Sequence, residues 1–334
     1  MVHPFAETIL RWYGENARDL PWRRTRDPYA IWLSEVILQQ TRIVQGQAYW
    51  ERFLERFPTV EALAEASEDE VMRLWQGLGY YSRARNLHAG ARQIVSMGGF
   101  PRTLEGILSI KGVGDYTAAA VGSIAFGIPA AVLDGNVYRV LARHFGIATP
   151  VGSAAGKKEF SALARKLLPE DRAAAYNQGM MDFGALQCTP VFPACLTCPL
   201  RGSCAAFREG RVELLPVKAE AKKPTVRRLA WTYLRCNGET AVRRRGPGDI
   251  WQGLWEPYAL ENQAPDFPGV LLLKPKVKHQ LTHRTILADF YFLETKEKPS
   301  LPEGYRWIPE SELDRYGKPR LFELLLEAVQ SATA

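Results

Sequence analysis

Cys188, Cys195, Cys198 and Cys204 fall within seventeen residues, separated by six, two and five residues, and only one other cysteine, Cys236, occurs in the chain. Four soft thiolates at such short spacing suit a single metal centre, either an iron–sulfur cluster or a closed zinc site. Zinc sites usually pair two short C-x2-C knuckles, and here only Cys195 and Cys198 make one. A disulfide reading is weaker, because no signal peptide is read at the N-terminus and cytosolic thiols stay reduced. The default for Cys236 is a buried structural thiol.

Two carboxylates call for the same scrutiny. Glu35 lies in the mostly apolar run Trp32-Leu33-Ser34-Glu35-Val36-Ile37-Leu38-Gln39-Gln40-Thr41. A glutamate on an apolar helix is costly unless it is solvated, paired or held neutral. Asp134 stands in Leu133-Asp134-Gly135-Asn136-Val137, eighteen residues beyond Tyr116. Upstream, Ile110-Lys111-Gly112-Val113-Gly114 separates two apolar helical stretches, 104–108 and 117–126. Its glycines permit a tight turn whose amides face outward at a helix start, a geometry that suits a phosphate or serves a plain packed hairpin.

These groups must be positioned by a chain of 334 residues, long enough for about two cores. Hydrophobic residues make up 46% and charged residues 24%, ordinary for a soluble globular protein. No apolar run is long enough for a membrane span. The first 24 residues read as an amphipathic helix, so the expected compartment is the cytoplasm, at the nucleoid if the source is bacterial. The net charge of +7 becomes informative only beside motifs that meet phosphates.

From residue 5 to about 207 the apolar period is helical, and Ser67 with Glu70 forms a capping-box pattern. The stretch 218–224 reads as an exposed linker. Beyond it, strand-like runs flank Asn237-Gly238, a hairpin signal because both residues accept positive φ. Another strand is expected over 286–293 and a closing helix over 321–329. The boundaries are a helical domain at 1–216, a linker at 217–225 and an α+β domain at 226–334.

The cysteine spacing resembles the 4Fe–4S loop of the endonuclease III superfamily of DNA glycosylases, and 110–114 resembles its helix-hairpin-helix. Lys111 stands where proline is usual, adding a phosphate contact to those of Gly112, Val113 and Gly114 at the cost of rigidity. In that superfamily the position of Asp134 is the catalytic carboxylate, and the position of Tyr116 is lysine in members that also cut the strand. A phenol cannot form a Schiff base, so a monofunctional enzyme is expected. The string around Glu35, with Trp22-Arg23, Gly77-Leu78-Gly79-Tyr80-Tyr81 and Tyr176-Asn177-Gln178, resembles the adenine DNA glycosylase (MutY) family over residues 5 to 207.

The resemblance implies a monomer acting on double-stranded DNA that contains adenine mispaired with 8-oxoguanine or guanine. It also implies one 4Fe–4S cluster held by the four cysteines. Glu35 would be the general acid, with Tyr116 and Asn136 positioning catalytic groups and water. Gln40 and Tyr80 would fill the opened base stack, while Arg23 and Gln178 read the flipped adenine.

The C-terminal part resembles the nudix-like domain of the same family, most clearly at Ile250–Glu256, without the acidic box that binds magnesium. Leu281-Thr282-His283 stands for the family's lesion-reading Phe-Ser-His, keeping the hydroxyl and imidazole but losing the stacking ring. Arg243-Arg244-Arg245 is either a solvated strand end or a phosphate contact. Three rivals are weighed: a bifunctional lyase, which Tyr116 disfavours; a non-catalytic cluster-bearing DNA binder, which Glu35 and Asp134 disfavour; and a nudix hydrolase, which the missing box disfavours.

Overall fold

A computed structural model describes residues 2–218 and 224–333. Most of the expected linker, residues 219–223, lies outside the described residues. The chain divides into two compact units, one of residues 1–64 and 89–220, the other of residues 65–88 and 221–334.

The first unit is helical. Asp27 opens the helix Pro28–Leu38 by accepting hydrogen bonds from the amides of Tyr29 and Ala30, with Pro28 at the first position where its missing N–H costs nothing. Every residue from Tyr29 to Ile37 is buried. Each large apolar side chain among them contributes about 2 kcal/mol by leaving water. That burial offsets the cost of carrying Glu35 inside the fold.

Thr103 caps the short helix Leu104–Leu108 through the amide of Gly106. The chain then turns at Gly112, whose φ of 81° is the left-handed conformation open to glycine, and enters the helix Asp115–Phe126. Asp134 caps the next helix, Gly135–Phe145, and left-handed Gly127 and Gly146 end the two helices. The helix Ala173–Asp182 widens into a π turn over Phe183–Gln187. No helix among the described residues is long and apolar enough to cross a membrane.

The second unit is built on one mixed sheet. Its strands are β1 (Thr225–Cys236), β2 (Glu239–Arg244), β3 (Trp255–Glu256), β4 (Tyr258–Glu261), β5 (Leu271–Gln280), β6 (Arg284–Thr295) and β7 (Tyr305–Pro309). The order is β3-β2-β1-β6-β5, with β4 also paired to β1 and β7 to β2. β1 and β6 run parallel, the other pairs antiparallel. Asn237 and Gly238 make the β1–β2 turn with φ of 50° and 79°, as the dipeptide chemistry requires.

The helix Arg320–Thr333 lays Leu321, Phe322, Leu325 and Val329 against Trp231, Ile286 and Phe290 on one sheet face. Leu234, Ala241 and Leu293 anchor a smaller cluster. Cys236 is buried, as expected of a structural thiol. The helix Glu68–Leu74 also belongs to this unit, and Ser67 caps it by accepting from the amide of Glu70.

In the arginine triplet Arg244 is an exposed strand end, and all three guanidiniums pair with carboxylates. Arg243 donates to Glu256 at 2.7 Å, Arg245 pairs with both Glu256 and Asp249, and Arg227 reaches Asp249 at 2.7 Å. Arg244 pairs with Glu68 at 3.2 Å. Glu256 is buried, so its charge needs these partners.

Candidate active site

A cavity of about 210 Å³ in the first unit is lined by Arg23, Glu35, Tyr116, Asp134, Asn136 and Gln178, together with Arg18 and Trp22. Six residues singled out in the sequence therefore converge, from five separate segments.

Glu35 is only 8% exposed, and its Oε2 accepts a 2.6 Å hydrogen bond from the Tyr116 hydroxyl. Burial is the largest influence on its carboxyl and raises the pKa. The Tyr116 hydrogen bond and the Arg23 charge pull the other way, the Asp134 charge adds to burial, and the net shift is upward. Burial and the neighbouring Glu35 carry the Tyr116 phenol well above its ordinary value, so it stays a proton donor.

Asp134 is held quite differently. As the helix cap, its Oδ1 accepts from the amides of Asn136 at 2.9 Å and Val137 at 2.8 Å, and its Oδ2 from the Asn136 side chain at 2.7 Å. Three donors and a helix N-terminus suit the ionised, acceptor-only form. A buried acid and a solvated-by-amides carboxylate thus face one cavity, the arrangement that acid–base chemistry needs.

Several supporting residues were not visible in the sequence. Asp182 is fully buried and binds Arg18 and Arg23. Tyr13 donates to Gln178 Oε1 at 2.5 Å, leaving the amide NH₂ as the donor side of that glutamine. Arg139 donates to Asn136 Oδ1 at 2.8 Å, to Gly184 O at 2.7 Å and to Cys188 O at 2.7 Å. A β-carbon on Gly184 would lie 2.6 Å from that of Asn136, so this position must be glycine. The available signal was a carboxylate four residues beyond Gln178 on one helix, which alone says nothing of its partners.

Other expected site residues lie outside this cavity. Gln40 is exposed just past the helix Pro28–Leu38 with φ of 59°. Tyr80, in the second unit, is 46% exposed with φ of 46°, and its hydroxyl bonds that of Thr282. Positive φ at two non-glycine residues is a strained state that recurs at functional positions. Leu281 is half-buried, while Thr282 and His283 are exposed.

In the hairpin, the Lys111 side chain is exposed and its amide donates to Gln93 Oε1 at 2.9 Å. Val113 is buried and tethers the turn, and Gly114 opens the next helix without a side-chain cap. The amides at that helix start are therefore left for another acceptor.

Cys188, Cys195, Cys198 and Cys204 are all free, half-buried thiols. Burial, then the charges of the other cysteines, pushes up Cys195 and Cys204, and Cys198 reaches about 11. Cys195, Cys198 and Cys204 therefore sit in one another's field, and a cationic centre would favour their thiolate forms. Buried Arg143 braces the loop, donating to Thr189 O at 2.7 Å and to Cys188 Sγ at 3.4 Å. Among the described residues, no group of three or more His, Cys, Asp or Glu side chains is gathered tightly enough to hold a single metal ion.

Residues 33–170 match the model of the HhH-GPD superfamily base excision DNA repair proteins, and residues 230–328 match the NUDIX domain. The chain is 41% identical over 248 residues to a human adenine DNA glycosylase, a match covering 71% of this chain and 45% of that protein. It is 33% identical to an adenine DNA glycosylase of Buchnera aphidicola (from Acyrthosiphon pisum), covering 75% of this chain and 73% of the relative. The chain thus spans less than half the length of the human relative.

Among solved structures, a thermostable thymine-DNA glycosylase is 34% identical with a TM-score of 0.57, covering 61% of this chain and 95% of that one. A trapped endonuclease III–DNA covalent intermediate shares the fold of the helical unit at 22% identity, with a TM-score of 0.54 and coverage of 61% and 94%.

Proposed function

We propose, for a chain that belongs to the adenine DNA glycosylase family, that it excises adenine mispaired with 8-oxoguanine or guanine in double-stranded DNA and leaves an abasic site. The observation that carries this reading is the pair formed by Glu35 and Tyr116, facing Asp134 across one small cavity.

The flipped adenine enters that cavity and is read by Arg23 and Gln178, with Gln40 and Tyr80 occupying the opened stack. Glu35 gives its proton to adenine N7. The bond from the sugar C1′ to N9 then breaks, and its electron pair leaves with the base. Asp134 stabilises the positive sugar, by charge or by a transient bond to C1′. A water positioned by Asn136 and Tyr116 adds to C1′ and gives its proton to the Glu35 carboxylate, which is thereby restored to the acid form. Protonating the leaving group and stabilising the sugar are each worth roughly 10²-fold or more.

The hairpin 110–114 holds backbone phosphates, and the turn 281–283 reads the base opposite adenine, with Leu281 contributing less stacking than an aromatic ring. The four cysteines hold a 4Fe–4S cluster that orders the loop 188–204, a structural contribution. Protein purified without added metal should carry about four irons per chain. Zinc in their place would sink this assignment.

The deciding assay incubates excess protein with duplexes holding adenine opposite 8-oxoguanine, guanine or thymine, and thymine opposite guanine, with and without alkali. Alkali-dependent cleavage at adenine, fastest opposite 8-oxoguanine, is expected, and Glu35→Gln should lose about 10²- to 10⁴-fold while still binding DNA. Cleavage at thymine instead would replace the reading.

A further inference from the structure

We propose that Asp182 is a positioning residue for adenine excision, holding Arg18 and Arg23 in one fixed array and cancelling the charge they would otherwise press on Glu35. The inference rests on the general-acid reading of Glu35 and deepens it.

Asp182 ends the helix Ala173–Asp182 with its side chain fully out of solvent. Its Oδ1 accepts from Arg18 Nε and Arg23 Nη2, both at 2.7 Å. Its Oδ2 accepts from Arg23 Nη1 at 2.6 Å and from the Arg18 amide at 3.1 Å. Arg23 is thus gripped as a planar fork, and its Nη1 donates again to Arg18 O at 3.2 Å. Neither guanidinium can turn without breaking charge-assisted bonds.

The charge balance gives the array its second consequence. The groups facing Glu35 are Tyr116 through its hydroxyl, Asp134 and Arg23, with Arg18 on the same cavity wall. When Glu35 is protonated, the two arginines balance Asp134 and Asp182, and the cavity is neutral. Ionising Glu35, itself buried, then leaves a net negative charge, which is unfavourable. Without the Asp182 charge the balance reverses, because ionising Glu35 restores neutrality. The acid would then surrender its proton before adenine arrives. Burial works to raise the Asp182 carboxyl, but the hydrogen bonds and charges of Arg23 and Arg18 prevail and hold it below its ordinary range. The compensating charge is therefore always present at neutral pH.

The test is the pH dependence of single-turnover adenine excision in the full-length protein, compared with Asp182→Asn and Arg18→Gln. Wild-type rate should fall on the alkaline side as Glu35 loses its proton. Asp182→Asn should move that limb down by about one pH unit, costing up to about tenfold along the alkaline limb while sparing the acidic plateau. Arg18→Gln removes a positive charge and should move the limb the other way. A role confined to stability would lower the melting temperature and leave the limb in place. An unmoved limb in either folded variant overturns the proposal, and if Asp182→Asn does not fold, Arg18→Gln decides alone. A wild-type protein that excises no adenine, or whose profile has no alkaline limb, would instead defeat the reading of Glu35 itself.

Discussion

The guanidinium of Arg139 joins Asn136 to Cys188: it donates to the Asn136 side-chain oxygen at 2.8 Å and to the Cys188 carbonyl at 2.7 Å. Since Asn136 itself donates to Asp134, one planar cation connects the loop of thiols to the Asp134 carboxylate. Arg139→Gln would leave three acceptors inside the fold with too few donors, at about 1–3 kcal/mol each. We expect lower thermal stability, reduced iron content and slower excision together. Normal excision in a variant that has lost iron would show that the two ends are independent.

Gly184 makes a second prediction about the same carboxylate. Its α-carbon packs so closely on Asn136 that an added methyl would overlap both the backbone and the β-carbon of that residue. Gly184→Ala should cost about 1–3 kcal/mol of stability and slow excision at least about tenfold by shifting Asn136 away from Asp134. Single-turnover rates beside a urea melt would show whether catalysis suffers beyond stability.

The Tyr116 hydroxyl lowers the Glu35 pKa against the stronger effect of burial. Phenylalanine at this position should therefore move the alkaline limb of the rate profile to higher pH while lowering the rate at its plateau. Because position 116 offers no amine, borohydride should trap no protein–DNA adduct there. A trapped adduct that disappears when a lysine elsewhere in the chain is replaced would reveal a lyase activity.

His144 supplies a pH dependence of stability unrelated to chemistry. It packs against Phe5 and Phe145, and burial, then the charges of His3 and Arg208, lowers its pKa to about 4. The unfolded chain titrates near its ordinary 6.5, so between those values it binds more protons than the folded one. Stability is fully present above about pH 6.5 and is lost as pH falls toward 4, by up to about 3 kcal/mol. His144→Phe should flatten that part of the curve in denaturant melts at several pH values. An unchanged slope would assign the acid sensitivity elsewhere.

What the sequence disclosed follows the range of the physics involved. The Asn237-Gly238 turn and the capping role of Ser67 depend on neighbours within four residues, and both are as expected. The helices around the hairpin were equally plain from their apolar period. β5 was not read, because Pro275 interrupts its ladder and bulges shift its register, so it lacks the alternation of a regular strand. Asp182 was missed for a different reason, since its partners are 164 and 159 residues away in sequence. The arginine triplet was undecidable until folding brought Glu256 and Asp249 against it.

Glu35 occupies a helix whose other inward positions are filled by tryptophan, isoleucine, leucine and valine. Replacing it with leucine removes the desolvation cost of a buried carboxyl, and the Tyr116 hydroxyl keeps the Met181 sulfur as an acceptor at 3.4 Å. The Glu35→Leu protein should melt at or above the parent's temperature while excising nothing. Any library sorted by expression or heat resistance would then carry such inactive chains forward as improvements. On the proposed function, selection would guard this site through excision alone and not through folding.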